Sequence, residues 1–339
     1  MRIGLTYNAK PTDQPELGEQ YAEFDDIKTI HTIRDAIASA GHEVILIEAN
    51  DDASYNLIKH RPDFVFNIAE GMYGESRESY TPALLGSLKI PFSGSGVQVQ
   101  ANVLNKRTTK ILLKAHEVPT PPFRLVRTKE EPFRNNLKYP LIVKPNSEGS
   151  SVGITNDSYV TNGEQLKKQI ARIFDQYHQP VLVEEYLEGR EFTVSILGNE
   201  NPRVLPIVEI DFSGLPPSIR PFDSYEVKWE YDAPGKDMVK VICPAVLDST
   251  LEGKIRDISL KAYRALECLD FSRVDLRLDS KGTPNVIEIN AIPGLIPDPA
   301  MNSRFPKACY TAGMTYDQMI LAILNTGLKR YNLPILPLP

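Results

Sequence analysis

The chain predicts an α/β fold, with a parallel sheet at its N-terminal end followed by mixed α+β structure. Three observations carry this. Residues 1–70 alternate short apolar runs with stretches of helical period, the mark of strand–helix–strand units. Later strand-like runs, at 141–144, at 181–185 and around Val208 and Val241, are spaced by polar loops as often as by helices. Residues 273–294 then read as two strands joined by the turn-forming cluster DSKGTPN.

The bulk composition bounds the rest. With 339 residues the chain is long enough for two or three domains with full cores. Its hydrophobic content (42%) and charged content (24%) are those of an ordinary globular protein. A net charge of -6 argues against a general nucleic-acid or membrane-surface binder, though a local basic pocket could still hold an anionic nucleotide. Cys243, Cys268 and Cys309 are far apart and form no C-x-x-C, which disfavours a disulfide scaffold or zinc ribbon and fits a reducing cytoplasm. The opening MRIGLTYNA reads as a buried strand rather than a leader, and no apolar run is long enough to span a bilayer.

Taken in order, residues 3–7 form the first strand and 8–19, rich in Pro, Gly and charge, a loop. Over 25–40 the isoleucines Ile27, Ile30, Ile33 and Ile37 recur at helical spacing, and Gly41 ends the helix. Strands follow at 43–47 and 63–68, with a short helix at 56–60 between them. In such a sheet, function is expected at the carboxyl ends of the strands. A loop leads to a helix over 80–88. A linker-like region at 93–101 then opens a second unit, and a helix over 102–115 places Lys106, Thr109, Lys110 and Leu113 on one face. After the strand at 141–144 comes KPNSEGSSVGI, whose small residues allow backbone N–H groups to approach phosphate oxygens. It is not a Walker loop, because G-x-x-x-x-G-K-[ST] is absent. The stretch 223–237, polar and aromatic without a period, reads as an active-site lid. Helices are expected over 252–266 and 315–328, and NLPILPLP forms a tail.

The hairpin at 273–294 organises the chemistry. Alternation puts Arg273, Asp275 and Arg277 on one face of its first strand, and Glu288 and Asn290 on one face of its second. If these faces coincide, two carboxylates, an amide oxygen and two guanidiniums converge. That cluster reads either as the solvated face of an edge hairpin or as a magnesium site, since hard cations take oxygen ligands.

E-x-N followed by Pro293–Gly294, with a carboxylate strand before it, resembles the metal-binding end of ATP-grasp ligases, in particular the D-alanine–D-alanine ligase branch. The resemblance runs through nearly the whole chain. EGMYGESR followed by KIPFSGSG is similar to that family's first-substrate loop, with Glu70 and Glu75 matching and Ser76 and Arg77 standing where the family has Asp and Gly. The family's D-K-x-x-x-K helix is matched by Asn105–Lys106, its phosphate lid by the loop after Lys144, and its adenine hinge by VLVEEYLEGREFTV.

The resemblance implies an ATP-grasp fold with a Rossmann-like region over 1–97, a central ATP-grasp subdomain over 98–186 and a C-terminal one over 187–339. It implies that Lys106, Lys144 and Lys228 meet nucleotide phosphates and that Ser150 and Ser151 cover them. Glu184 would accept from the adenine amino group, Glu185 and Leu187 would offer backbone atoms to the base, and Glu191 would hold the ribose. Asp275, Glu288 and Asn290 would bind two Mg²⁺, with Mn²⁺ as a substitute. Arg273 would stabilise the tetrahedral intermediate, with Ser150 and Lys228 as its catalytic companions. Glu70, Glu75, Arg273, Gly294 and Ser303 would contact amino-acid or related carboxylate substrates.

Three departures concern the substrates. These are the Ser76–Arg77 pair, a longer segment after Gly294 into which Asp298 intrudes, and Trp229, which replaces a tyrosine that links the two lids. Indole donates a hydrogen bond but cannot accept one, so the link must differ, and Glu23, Asp25 or Asp26 is its expected acidic support. The implied activity is ADP-forming ligation of two amino acids through an acyl phosphate, in a cytoplasmic homodimer. A natural-product ligase of a mycosporine or peptide pathway and a non-catalytic ATP-binding protein are the alternatives.

Overall fold

A computed structural model describes residues 1–11, 18–131, 133, 136–236 and 238–335. Residues 12–17 of the expected first loop, Asp237 at the end of the expected lid and positions 336–339 of the expected tail lie outside the described residues.

Three strands, β1 (Arg2–Tyr7), β2 (Glu43–Glu48) and β3 (Phe64–Asn67), form a parallel sheet in the order β2-β1-β3. Helices α1 (Ile27–Ser39) and α2 (Ala53–His60) connect them. Of the four periodic isoleucines, Ile30, Ile33 and Ile37 are buried, while Ile27 in the first turn is exposed. Gly41 follows α1 with φ +81°, as a helix-ending glycine does. At the carboxyl edge of this sheet Asn8 Oδ1 accepts from the Gly71 N–H (2.9 Å) and holds the loop after β3. Gly71 has φ +78°, and a Cβ there would lie 2.3 Å from the Arg77 carbonyl oxygen, so the loop requires glycine.

Helix α3 (Tyr80–Ser87) stands where expected, but the next segment differs. The expected linker runs into a helix, α4 (Val97–Leu104), and the expected single helix over 102–115 breaks at Asn105 before α5 (Lys106–Ala115). The Asn105 side chain accepts from the Thr108 N–H (3.0 Å), an N-cap that starts a new helix. Lys106, Thr109, Lys110 and Leu113 are all buried on one face of α5.

A second, antiparallel sheet has the order β4-β7-β5-β6, from β4 (Phe123–Val126), β5 (Leu141–Pro145), β6 (Tyr159–Val160) and β7 (Val181–Glu185). Helix α6 (Gly163–Tyr177), capped by Asn162, lays Leu166, Ile170 and Ile173 against it.

The third sheet is also antiparallel. Its strands are β8 (Glu191–Leu197), β9 (Arg203–Val204), β10 (Val208–Asp211), β11 (Lys240–Ile242), β12 (Phe271–Leu278) and β13 (Pro284–Asn290). They run β11-β10-β8-β12-β13, with β9 beside β8. Helix α7 (Ser249–Ala265) packs Ile255 and Ala262 into the same core as Val274, Leu276 and Val286. β12 and β13 are the expected hairpin, in register Arg273↔Asn290 and Asp275↔Glu288. A bulge follows Asp275 and shifts the register before Leu276. The expected lid is not structureless. Val227–Tyr231 forms a π-helical turn, closed by the Asp232 N–H to the Val227 carbonyl (2.8 Å).

The chain closes with α8 (Arg304–Thr311) and α9 (Tyr316–Arg330). Thr315 and Gln318 form a capping box at the start of α9. α9 returns to the N-terminal sheet, where Ile320, Ile323, Leu324 and Leu328 share one core with Ile30, Ile33, Phe64 and Phe66. A buried ion pair pins this return. Arg330 Nη2 lies 2.8 Å from Asp270 Oδ2, which also accepts from the Gly94 N–H (2.8 Å), and Asp270 is 0% exposed. Replacing Asp270 by Asn removes the charge that Arg330 faces at nearly constant volume. We expect a loss of about 2 kcal/mol, read as a lower urea midpoint with an unchanged m-value.

Candidate active site

A cavity of about 320 Å³ lies between the two antiparallel sheets and the loops at the carboxyl edge of the parallel sheet, and the hairpin β12–β13 forms one of its walls. The register aligns the polar faces of the hairpin, so Arg273, Asp275, Glu288 and Asn290 all line it. Arg273 grips Asp275 in a bidentate pair, Nε to Oδ1 at 2.9 Å and Nη2 to Oδ2 at 2.8 Å. Thr193 Oγ1 donates to Asp275 Oδ1 (2.5 Å) and Asn290 Nδ2 donates to Oδ2 (2.9 Å), which leaves the Asn290 amide oxygen free of that contact. Burial would raise the Asp275 carboxyl, but Arg273 above all, with the Thr193 hydroxyl and the charge of Arg304, outweighs it and holds its pKa below the usual range. Glu288 behaves alike: burial opposes its charge, while Lys106, 2.7 Å away, and Lys144 hold its pKa below the usual range.

The opposite wall carries cations. Lys106 and Lys110 sit one turn apart on α5, and Lys144 on β5. Glu184 on β7 lies between two of them, 2.5 Å from Lys144 Nζ and 2.7 Å from Lys110 Nζ. Burial pushes its carboxyl up, but the two ammonium groups prevail and hold it at about 2. Lys110, fully buried, is pushed down by desolvation to about 8 despite Glu184. Glu185, Leu187 and Glu191 line the cavity beyond this hinge. Glu191 pairs with Arg277 (2.9 Å), yet burial still raises its carboxyl to about 7.

Two loops close over the space. In the first, Ser150 and Ser151 have φ of +46° and +61° and line the cavity. The second contains Lys228, whose ammonium burial pushes down. They are stitched together: Ser151 Oγ donates to the Asp223 carbonyl (2.7 Å), the Tyr225 N–H to the Ile154 carbonyl (2.7 Å), and Trp229 Nε1 to the Ser150 carbonyl (3.4 Å). The indole thus links the loops as a donor only. Of the three acidic residues expected to support this link, Glu23 is the one against the first loop; a methyl group on Gly149 would lie 1.7 Å from its Oε1. Trp229→Phe keeps the ring and removes the donor. We expect about a two- to tenfold fall in turnover, with more phosphate released than product formed, measured by parallel phosphate and product assays.

Of the other expected substrate residues, Glu70, Gly294 and Ser303 line the cavity, and Ser303 Oγ donates to the Gly294 carbonyl (3.0 Å). Glu75 does not. The chain turns outward through Gly74 (φ +94°) and leaves Glu75 exposed, so the inward position passes to Glu78. Asp298 also stays out of the cavity; exposed, it caps a short 3-10 turn by accepting from the Ala300 N–H. Glu78 and Arg304 also line the cavity, and Arg77 and Lys110 pair with carboxylates that do; the sequence reading gave none of these four a role there. Lys110 had a legible signal, because Leu113 on the same face of α5 marks that face as inward.

These features meet in known proteins. A family model described as the D-ala D-ala ligase C-terminus matches residues 112–325. A D-alanine–D-alanine ligase of Carboxydothermus hydrogenoformans is 33% identical over 312 residues, covering 89% of this chain and 93% of that protein. The chain belongs to the D-alanine–D-alanine ligase family. Like other members of this ATP-grasp family, it is an ATP-dependent ligase that forms carbon–nitrogen bonds. A relative named "Uncharacterized protein y4sG" from Sinorhizobium fredii is 35% identical over 344 residues, covering 98% of each chain. Among solved structures, a D-alanine–D-alanine ligase of Bacillus anthracis complexed with ATP superposes with a TM-score of 0.75 at 25% identity, covering 98% of this chain and 99% of that one. The fold of this family member has no helix, among the described residues, long and apolar enough to cross a membrane.

Proposed function

We propose that this ligase joins an amino acid, or a closely related carboxylate, to the amine of a second amino acid, with ADP and phosphate as by-products. The observation that carries the reading is one cavity holding an acidic hairpin face opposite buried lysines, roofed by two bonded loops. The carboxylate is activated by taking the γ-phosphoryl group of ATP, which gives an acyl phosphate and ADP. The amine then attacks the acyl carbon, and phosphate leaves from the tetrahedral intermediate as the amide forms. Such a reaction needs positioning and charge neutralisation more than covalent help.

Lys106, Lys144 and Lys228 are assigned to the nucleotide phosphates, with Ser150 and Ser151 above them. Glu184 is assigned to the adenine amino group, Glu185 and Leu187 to the base edge through backbone atoms, and Glu191 to the ribose. Arg273 is assigned to the tetrahedral oxygen, and Gly294 and Ser303 to the acceptor. The donor set fits a hard cation, because Asp275, Glu288 and the Asn290 amide offer oxygen ligands on one face of the hairpin. Those three residues would hold Mg²⁺, which neutralises phosphate charge when bound. The closed loops keep water from the acyl phosphate.

The resemblance supports three subdomains near 1–97, 98–186 and 187–339 and a homodimer. The free thiols of Cys243, Cys268 and Cys309 support a cytoplasmic protein. Neither the natural-product reading nor the non-catalytic one gains support from an observation of its own. The test is phosphate release from Mg·ATP across D- and L-amino acids, singly and in pairs, with mass detection of products. A dipeptide formed with stoichiometric phosphate is expected; silence with every carboxylate, alongside tight ATP binding, would overturn the reading.

A further inference from the structure

Arg277 is the guanidinium of the hairpin face that takes no part in the proposed reaction. It is 5% exposed and lines the cavity. Nη1 donates to Glu191 Oε2 (2.9 Å), on the residue paired with it across the β8–β12 ladder. Nε donates to the Gly189 carbonyl (3.1 Å). Nη2 donates both to Tyr186 Oη (2.7 Å) and to the Pro221 carbonyl (2.7 Å). Tyr186 follows β7 in the hinge, and Pro221 stands just before Asp223 at the root of the second loop. Tyr186 Oη also donates to the Pro221 carbonyl (3.0 Å), and the guanidinium carbon lies 4.6 Å over its ring. Phe222 meets the same ring at a steep angle, 6.2 Å between centroids. One side chain therefore joins the Glu191 carboxylate, the hinge and the root of the second loop. The other Glu191 oxygen, Oε1, has no partner among the described residues. Burial raises the Glu191 carboxyl to about 7, and Arg277 is the main charge opposing that rise.

We propose that Arg277 is a positioning residue that couples recognition of the nucleotide's ribose to closure of the second loop. This rests on the ligase reading and its assignment of Glu191 to the ribose, and it links that contact to the loop that bears Lys228. Because Nη1 holds Oε2, Glu191 presents Oε1 to the ribose hydroxyls. A pair that served only the sheet would end at Gly189 and Glu191, but the third arm crosses to Pro221. The guanidinium is planar and rigid, so its donors move as one fork. A Glu191 drawn to the ribose therefore draws the loop root with it. The coupling runs both ways: the factor by which ribose contact favours closure is the factor by which closure favours ribose binding.

The test uses the full-length protein with Mg²⁺ and ATP, 2′-deoxy-ATP or 3′-deoxy-ATP. Calorimetry reads affinity, and hydrogen exchange of the 220–232 amides reads closure. In the wild type, at least one deoxy nucleotide should bind at least about tenfold more weakly than ATP and protect 220–232 at least about tenfold less. Equal protection by all three nucleotides, or none by ATP, would overturn the proposal. Arg277→Lys keeps the charge and loses the fork. It should bring ATP and that deoxy nucleotide to within about threefold of each other in affinity, with ATP protection falling to the wild type's deoxy level. Wild-type discrimination and protection in this variant would mean a role confined to the fold, and would overturn the proposal. Tyr186→Phe keeps the Glu191 contact and removes a tie to Pro221, so it tests the loop arm even where Arg277→Lys does not fold. ATP protection should fall at least about threefold with ribose discrimination retained; unchanged protection would overturn the proposal. Failure of the ligase reading looks different, because then no carboxylate would release phosphate, whatever the nucleotide does to 220–232.

Discussion

Replacing Glu288 by Gln is expected to lower ligase turnover by more than about a thousandfold while the protein stays folded. The change keeps volume and one oxygen but removes the charge on the hairpin face. In the free protein Glu288 lies 2.7 Å from Lys106 Nζ, and its pKa is held low by Lys106 and Lys144 against burial. Losing that charge removes both a proposed hard-cation ligand and the partner of Lys106, whose other contact is the Glu148 carbonyl. The fold does not depend on it, because the hairpin is anchored from its other face by Val274, Leu276, Val286 and Ile289. Phosphate release and circular dichroism on the same preparation decide the matter. Turnover within tenfold of the wild type would remove Glu288 from the metal set.

The second large effect is on stability. Glu184→Gln should destabilise the free protein by about 3–5 kcal/mol, because it leaves the buried Lys110 and Lys144 without the carboxylate that lies between them. Lys110 is 0% exposed and Lys144 3%. The urea midpoint reads the loss, and adding Lys110→Met should recover part of it by removing one stranded charge. The pH dependence follows from the same geometry. The Glu184 carboxyl is held at about 2 in the fold, below its ordinary 4.5. Its contribution is therefore present above about pH 4.5 and is lost as pH falls towards 2. In Glu184→Gln this part of the acid-denaturation curve should flatten. An unchanged midpoint and acid limb would show that the lysines are not neutralised by this carboxylate.

Much of this was legible before the structure. Period-two alternation in RVDLRLD and NVIEIN put the right side chains on one face of the hairpin, because strands leave little choice once apolar residues take the core side. Likewise the isoleucine spacing announced α1. Where the reading slipped, a local competitor outweighed the period. Asn105 sits in the middle of a stretch of helical period, yet its side chain starts a new helix. Glu75 matched a motif, but the positive φ of Gly74 rotates it out and brings Glu78 in. The pairing of Glu184 with Lys110 and Lys144, and of Arg77 with Glu23 and Glu148, joins residues tens of positions apart, which no local pattern encodes.

The return of α9 to the N-terminal sheet bears on how the chain is made. On the ribosome, residues 1–67 emerge well before Ile320, Ile323, Leu324 and Leu328, which complete their core. Until then α1 and β3 carry an uncovered apolar face, and folding of the first sheet must wait until α9 has been made. The nascent chain should accordingly be a client for holding chaperones over most of its translation. It should also be intolerant of early termination: a stop codon before Tyr316 would leave not a shortened enzyme but an N-terminal sheet without its cover.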